Sequence, residues 1–208
     1  MASLHELTPQ YLNTSRLTLQ RFNRSAEHYT CLLAAMNSSI AHSRMGDLGI
    51  QKPEQFDAFN ATARLHDHRF KHGVADDDLL YLIHLGSQSP NNELIGGISI
   101  AQRRAGSTLL PADMGWCLLE THMGKGYATE AAREVLRWAT EDFGIKQLIV
   151  VPSETNRESN RVAEKLGFVA GGQIPDADEP GKMMNVLTLP GMQKVEVKEG
   201  LSVRFHGA

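Results

Sequence analysis

The chain has 208 residues, 41% hydrophobic and 22% charged, with 21 Lys and Arg against 24 Asp and Glu for a formal net charge of −3. Such a chain can bury a sizeable core as one domain, which excludes collagen, coiled coil and low-complexity tails. The slightly acidic balance argues against a dedicated nucleic-acid binder, whose affinity for phosphate backbones comes from clustered positive charge. No apolar run approaches the roughly 18 residues that cross a bilayer. The start, Met1-Ala2-Ser3-Leu4-His5-Glu6, lacks the basic flank and apolar stretch of a signal peptide, so neither membrane nor export is expected and a cytoplasmic location is. Cys31 and Cys117 lie far apart in sequence and are expected as small core residues in a reducing compartment, with no disulfide framework.

In chain order, residues 16–22 alternate with Leu17 and Leu19 on one side, the mark of a half-buried strand. Tyr29, Leu32, Leu33 and Met36 recur at three- and four-residue spacing, predicting a helix with Ser25 as N-cap. Phe56, Phe59, Ala63 and Phe70 predict another between 53 and about 72. Asp76-Asp77-Asp78 is expected as a solvated turn, because a calcium loop spaces its oxygens through a glycine-containing segment; no metal is expected. Residues 79–85 and 94–100 are apolar runs joined by turn formers, a hairpin with a long loop. A short strand over 112–119 is followed by a glycine-containing loop and a helix over 128–143, its buried stripe Ala131, Ala132, Val135, Leu136 and Ala139, closed at Gly144.

Residues 147–151 form a β-branched run ended by Pro152, and 158–166 a short helix stopped by Gly167. A crossover helix between two strands implies a parallel pair. The fold class is therefore α/β (α+β): a mixed sheet, antiparallel in its N-terminal strands with a central parallel pair, flanked by helices. Beyond Phe168 a loop over 176–181 leads to a strand over 183–189, then Val195, Val197, Leu201 and Val203 in a C-terminal segment whose form the pattern leaves open. There is no internal repeat and no linker long enough for a second domain, so one domain over 1–208 is expected.

The strongest local signal is Met123-Gly124-Lys125-Gly126-Tyr127-Ala128-Thr129-Glu130-Ala131, between a strand end and a helix start. Glycines let the backbone approach a ligand closely, and the first helical turn offers unpaired N–H groups at the positive end of the helix dipole, a cradle for a pyrophosphate. The P-loop pattern fails, since Lys125 is followed by Gly126 and the glycine required five residues earlier is Glu120. The dinucleotide fingerprint G-x-G-x-x-G fits Gly124 and Gly126 but meets Thr129 at its third glycine, and Glu154 lies beyond the spacing of about 20 residues that its ribose-binding acid takes.

Taken whole, Met123 to Ala128 resembles the acyl-CoA signature of the GNAT N-acetyltransferases, R/Q-x-x-G-x-G/A, with Gly126 and Ala128 in place and Met123 departing at the first position. The stretch from Gly124 to Ala131 looks like the branch that contains the ribosomal-protein N-terminal acetyltransferases. Arg16-Leu17-Thr18-Leu19 is similar to that branch's opening strand, Leu94 to Ser99 to its third strand, and Asn156-Arg157-Glu158-Ser159 with Glu164-Lys165-Leu166-Gly167-Phe168 to its N-x-x-S and E-K-x-G-F segments. The resemblance runs from about residue 16 to 168.

It implies acetyl transfer from acetyl-CoA to a primary amine, of a small molecule or a protein N-terminus, by direct attack. Gly124, Lys125, Gly126, Tyr127, Ala128 and Thr129, with Met123, would hold the pyrophosphate, Asn156 the pantetheine, and the strand near Cys117 and Leu118 the pantetheine and the thioester oxygen. Many relatives protonate the thiolate with a tyrosine shortly before the Gly-Phe pair. Ala163, Glu164 and Lys165 stand there; in the branch this chain resembles, the serine of N-x-x-S lies near the sulfur instead, so the resemblance implies Ser159 for orienting or protonating it. The amine must be neutral to attack, which an α-amino group of pKa ~8 is in a tenth of molecules or more at pH 7 and a lysine of ~10.4 in about one per thousand. Asp113 and Glu120 are the candidate bases, with His84 and Glu93 more distant. A non-catalytic acyl-CoA sensor and a Rossmann-type oxidoreductase are the other readings. The chain is expected as a monomer or a homodimer, with the segment after Phe168 available for a dimer contact.

Overall fold

The computed structural model describes residues 8–63, 65, 79–87 and 92–206. β1 (Tyr11–Asn13) pairs antiparallel with β2 (Leu17–Arg21). Helix α1 (Ala26–Met36) begins at Ser25, whose hydroxyl accepts the His28 N–H, and the shorter α2 (Ser39–Met45) and α3 (Pro53–Ala61) follow. β3 (Leu79–Leu85) and β4 (Leu94–Ala101) form the expected antiparallel hairpin. The two-residue strands β5 (Arg104–Ala105) and β6 (Thr108–Leu109) make a side ribbon. Then come β7 (Ala112–Leu118), α4 (Tyr127–Arg137), β8 (Leu148–Val150), α5 (Arg157–Lys165), β9 (Val169–Pro175), β10 (Met183–Thr188) and β11 (Val195–Glu196).

Nine strands among the described residues form one sheet in the order β1-β2-β3-β4-β7-β8-β10-β9-β11. It is antiparallel apart from β7–β8 and β11–β9. This is the expected mixed sheet, and not the doubly wound parallel sheet that a dinucleotide fold requires. On one face Ala131, Ala132, Val135 and Trp138 of the α4 region and Ala163 of α5 pack on Ile98, Ile100 and Leu148. On the other, Cys31 and Leu32 of α1 and Phe56 of α3 cover Leu80, Leu82 and Leu94. A third cluster, around Ile149, Ile174, Val186, Val195 and Leu201, joins the C-terminal strands to β8.

Besides β1, α2, β5 and β6, which form where no element was expected, three elements differ from expectation. α4 is α-helical only to Arg137; Trp138 to Asp142 widen into a π turn in which the Phe143 N–H donates to the Trp138 carbonyl at 2.8 Å, while the Trp138 and Phe143 rings pack 5.2 Å apart. The helix expected over 53–72 ends at Ala61; Phe70 and Asp76-Asp77-Asp78 lie outside the described residues. β9 forms where no strand was legible. Its Gly171 and Gly172 admit their neighbours closely, since a Cβ would fall 2.1 Å from Thr188 Cγ2 at the first and 2.5 Å from the Val195 carbonyl oxygen at the second. No helix of the described residues is long and apolar enough to cross a membrane.

What positions the site is the limited pairing of β7 with β8. Only Ala112–Leu148 and Asp113–Ile149 are in register, although β7 runs on to Leu118. Past Asp113 the two parallel strands part and leave one edge of β7 without a partner strand, and Pro152 follows β8 with no N–H to give a ladder.

Candidate functional site

Below the parted strands a 3₁₀ turn, Glu120 to His122, carries the chain from β7 into the loop that opens α4. Gly124 and Gly126 adopt φ of +76° and +83°, the left-handed region glycine enters without strain. A Cβ at Gly124 would meet nothing within 4 Å, so this backbone faces open space. Gly126 is the N-cap of α4 and no side chain caps the helix, which leaves its first-turn N–H groups and the positive end of its dipole for an external acceptor.

The loop is tied to the N-terminal strands by Arg16. Its Nε donates to Glu130 Oε2 at 2.6 Å, its backbone N–H to Glu130 Oε1 at 3.0 Å and its Nη1 to the Lys125 carbonyl at 3.2 Å. The same guanidinium lies 4.8 Å from the Tyr127 ring centroid. Thr14 Oγ1 adds a 2.6 Å hydrogen bond to Glu130. Burial alone would raise the Glu130 carboxyl, but the hydrogen bonds from Thr14 and Arg16 and the Arg16 charge outweigh it and hold the group below its ordinary value.

On the far side of the wedge Asn156 caps α5, its Oδ1 accepting the Ser159 N–H at 3.1 Å. Asn156 is buried and Ser159 half-buried. The Ser159 hydroxyl is not spent on any other described residue. Facing them on β7, the Cys117 thiol is pushed by burial up to about 11, against the opposing effect of a hydrogen bond with the Gly97 backbone.

Two cavities of about 450 Å³ each meet at this point. The first is bounded by Phe56 and Phe59 of α3 and by the C-terminal segment at Val203 and Arg204, with Gly97, Ser99 and Gly115 of β4 and β7 also lining it. The second runs past Met123, Gly124, Gly126, Tyr127, Ala128 and Thr129 to the side of α5. Six residues line both: Arg44, Met45, Trp116, Cys117, Asn156 and Ser159. The structure thus brings the glycine loop, the end of β7 and the start of α5 together, as the sequence motifs required. Leu118 lines the second cavity and Lys125 contributes its carbonyl to Arg16.

The candidate bases are placed differently. Asp113 is buried and committed to Arg103, whose Nε donates to Asp113 Oδ2 at 2.9 Å and whose Nη2 contacts the same oxygen. It lines the first cavity, but it stands four positions along the strand from Cys117, ~13 Å at ~3.3 Å per residue. Glu120 is exposed in the 3₁₀ turn and lines neither cavity. His84 is buried with Nδ1 at 2.9 Å from the Asn92 carbonyl and Nε2 at 2.9 Å from Gln20 Oε1, and Glu93 lies 3.5 Å from His122; both are away from the cavities. Arg44 went unread in the sequence. It reaches from α2 across the second cavity, with Nη1 3.1 Å from Met123 Sδ and Nη2 2.9 Å from Glu158 Oε1. Trp116 and Met45 were missed with it, because none of the three sits in a local motif.

The family model described as an acetyltransferase (GNAT) domain matches residues 16–169. The chain is 28% identical over 65 residues, 31% of its length, to the Bacillus subtilis (strain 168) protein named "Putative ribosomal N-acetyltransferase YdaF", and spans 36% of that relative's length. Among solved structures, the acetyltransferase from Agrobacterium tumefaciens str. C58 matches with a TM-score of 0.62 at 27% identity, over 87% of this chain and 94% of that one. RimL, a ribosomal L7/L12 alpha-N-protein acetyltransferase in complex with coenzyme A, matches in fold with a TM-score of 0.57 at 17% identity, over 84% and 94%. The chain belongs to the family of acetyltransferase (GNAT) domains.

Proposed function

We propose that this chain is an N-acetyltransferase that moves an acetyl group from acetyl-CoA to a primary amine, of a protein N-terminus or a small molecule, by direct attack. The observation that carries this reading is the meeting of the two cavities at Trp116, Cys117, Asn156 and Ser159. One cavity ends on an uncapped helix N-terminus behind two left-handed glycines, the donor set a diphosphate takes. The other holds room for a second molecule whose amine reaches the same junction. RimL, a neighbour in fold, is a protein N-terminal acetyltransferase that binds coenzyme A, which favours the same cosubstrate here.

In this arrangement the backbone of Gly124 to Thr129 takes the pyrophosphate, and Asn156 and the β7 edge take the pantetheine. The edge of β7 beyond Asp113, left without a partner by the parting of β8, supplies backbone donors near Cys117 and Leu118 to the thioester oxygen, a contribution of about 3 to 4 kcal/mol per donor aimed at a developing oxyanion. The amine nitrogen attacks the thioester carbon, the C–N bond forms, and the C–S bond breaks from the tetrahedral intermediate. The acceptor attacks as the neutral amine, one ammonium proton having gone to solvent, and the proton left on the newly acylated nitrogen passes to the departing CoA thiolate, oriented by Ser159, to give the amide and the CoA thiol. Asp113 is held by Arg103 and contributes to the far wall of the acceptor cavity.

The test is the thermal midpoint with and without acetyl-CoA, with NADH as control, followed by release of free CoA thiol in the presence of amines and N-terminal peptides. A ligand at ~100 times its Kd adds about 2.7 kcal/mol, a rise of several degrees in a chain of this size. A rise with acetyl-CoA alone and amine-dependent thiol release support the reading. No rise, or an equal rise with NADH, overturns it.

A further inference from the structure

Residues 202–206 lie between the loop that joins β9 to β10 and the segment that joins α2 to α3, and they are bonded to both. Asp178, in the first, has a side chain only 2% exposed. Its carboxylate accepts the Ser202 hydroxyl at 2.8 Å and the Val203 N–H at 3.0 Å, and His206 Nε2 lies 2.6 Å from Oδ1. Arg204 Nη2 donates to Glu179 Oε1 at 2.8 Å. On the other side the Phe205 N–H donates to the Leu48 carbonyl at 2.8 Å, and a Cβ at Gly49 would fall 2.8 Å from the Phe205 carbonyl oxygen. The segment is thus latched to two walls of the first cavity, which Val203 and Arg204 line together with Leu48, Asp178 and Glu179.

What this cavity offers an acceptor is largely apolar, with Met45, Phe56, Phe59, Trp116 and Met184 in its lining. Its arginines and its lysine are engaged: Arg44 with Glu158, Arg103 with Asp113, and Lys182 and Arg204 with Glu179. Two of its carboxylates, Glu154 and Asp176, pair with no cation among the described residues. An amine entering here is attracted and finds apolar walls for the rest of the molecule. A carboxylate on the same molecule would give up water for no cationic partner and face two like charges. A volume of about 450 Å³ suits one small ligand.

We infer that residues 202–206, latched by Asp178, are the specificity wall of the acceptor cavity: they confine it to a small primary amine with an apolar body and no carboxylate, and they keep out the N-terminus of a protein. The inference rests on the acetyl-CoA reading above and adds to it the class of the acceptor.

Steady-state release of CoA thiol with propylamine, hexylamine, 6-aminohexanoate and a hexapeptide bearing a free α-amino group, on the wild-type chain and on Asp178→Ala, decides it, with kcat/KM counted per neutral amine. In the wild type kcat/KM should rise about fourfold per methylene from propylamine to hexylamine. Hexylamine should exceed both 6-aminohexanoate and the peptide by about tenfold or more. In Asp178→Ala, whose folding is checked by its thermal midpoint, the peptide should gain on hexylamine by about tenfold while the acetyl-CoA Kd keeps its wild-type value. A wild type that takes the peptide or 6-aminohexanoate as well as hexylamine, or shows no dependence on chain length, overturns the inference, and these comparisons need no variant. A folded variant that keeps the wild-type ratio overturns it as well. Acetyl-CoA binding with turnover of none of the four amines overturns the inference alone, whereas no acetyl-CoA binding by the wild type overturns the acetyl-CoA reading itself.

Discussion

Arg16 and Glu130, 114 positions apart, are joined through Arg16 Nε and Glu130 Oε2 at 2.6 Å, with a second hydrogen bond from the Arg16 backbone N–H at 3.0 Å. The link fixes the first turn of α4 against the turn between β1 and β2, and through Arg16 Nη1 it also holds the Lys125 carbonyl. The glycine loop is thereby held in one shape before any ligand arrives. Cosubstrate binding then spends less on ordering it.

Glu130→Gln should therefore cost stability and cosubstrate affinity together. The Arg16 side chain is half exposed (49%) while that of Glu130 is largely buried (16%), so the loss is on the order of 1 to 2 kcal/mol. Because the folded carboxyl titrates below its unfolded value, its contribution is complete above an unfolded pKa of ~4.3 and disappears as pH falls through the lower folded value. Urea midpoints of wild type and variant should differ at pH 7 and converge in acid. A difference that persists undiminished in acid would remove the carboxylate charge from the account.

At Gly126 the φ of +83° and the neighbouring Arg16 Nη2, 3.5 Å from where a Cβ would stand, limit what can be tolerated. Gly126→Asp places a carboxylate at the helix N-terminus in competition with the cosubstrate's phosphates. The left-handed backbone adds a strain of about 1 to 2 kcal/mol. The expected outcome is a folded protein, melting a few degrees lower, with acetyl-CoA binding abolished in titration calorimetry. Undiminished affinity would place the pyrophosphate elsewhere.

Ser159 and Asn156 are neighbours in space with separable effects. Ser159→Ala removes a hydroxyl and leaves the α5 cap in place, so turnover should fall, by roughly tenfold or more for a group that aids proton transfer, with acetyl-CoA affinity nearly unchanged. Asn156→Ala removes the acceptor of the Ser159 N–H, at about 1 kcal/mol of stability, and should weaken acetyl-CoA binding as well. Steady-state kcat and titrated Kd distinguish the two. Equal effects on both constants in both variants would mean that Ser159 acts only through the cap.

The legible parts of the sequence are those in which local chemistry decides structure. Ser25 before an apolar helical stripe, the two apolar runs of the β3–β4 hairpin, and the glycine loop before the alternating face of α4 each carry their own signal, and the structure bears them out. β9 carried none. Gly171 and Gly172 interrupt the apolar run with no side chain to mark a strand, and they are there because Thr188 and the Val195 carbonyl pass too close for one. The π turn after Arg137 follows from how the Trp138 and Phe143 rings pack and has no composition of its own. In the site, the glycine loop and Asn156 could be found from motif and spacing. Arg44 could not, because its contacts with Met123 and Glu158 depend on α2 being brought across the cavity by the tertiary fold.

Asp113 shows what a sequence position alone leaves open. A carboxylate beside the central strand is a fair candidate base, but with side-chain exposures of 8% and 19% Asp113 and Arg103 form a largely buried pair. Removing one partner strands the other's charge, which costs about 2 to 4 kcal/mol. Asp113→Asn should lower the thermal midpoint by several degrees while leaving the pH dependence of kcat/KM in place. A variant with an unchanged midpoint and a lost pH limb would make Asp113 the base after all.

Cys117 lines both cavities and is the one thiol positioned to compete with the amine for the acetyl group, so it separates direct transfer from a route through an acetyl-cysteine. Burial raises its thiol to about 11, which at pH 7 leaves about one molecule in ten thousand as the thiolate that attacks. A thioester exchange at this position would therefore be slow. Cys117→Ala, which keeps a small side chain opposite Asn156 and Ser159, should retain turnover within about threefold, and no acetyl adduct should be found on the intact protein by mass spectrometry after mixing with acetyl-CoA alone. Loss of activity in the alanine variant, together with a single acetyl group on the wild-type chain at this residue, would replace direct attack with a double-displacement route.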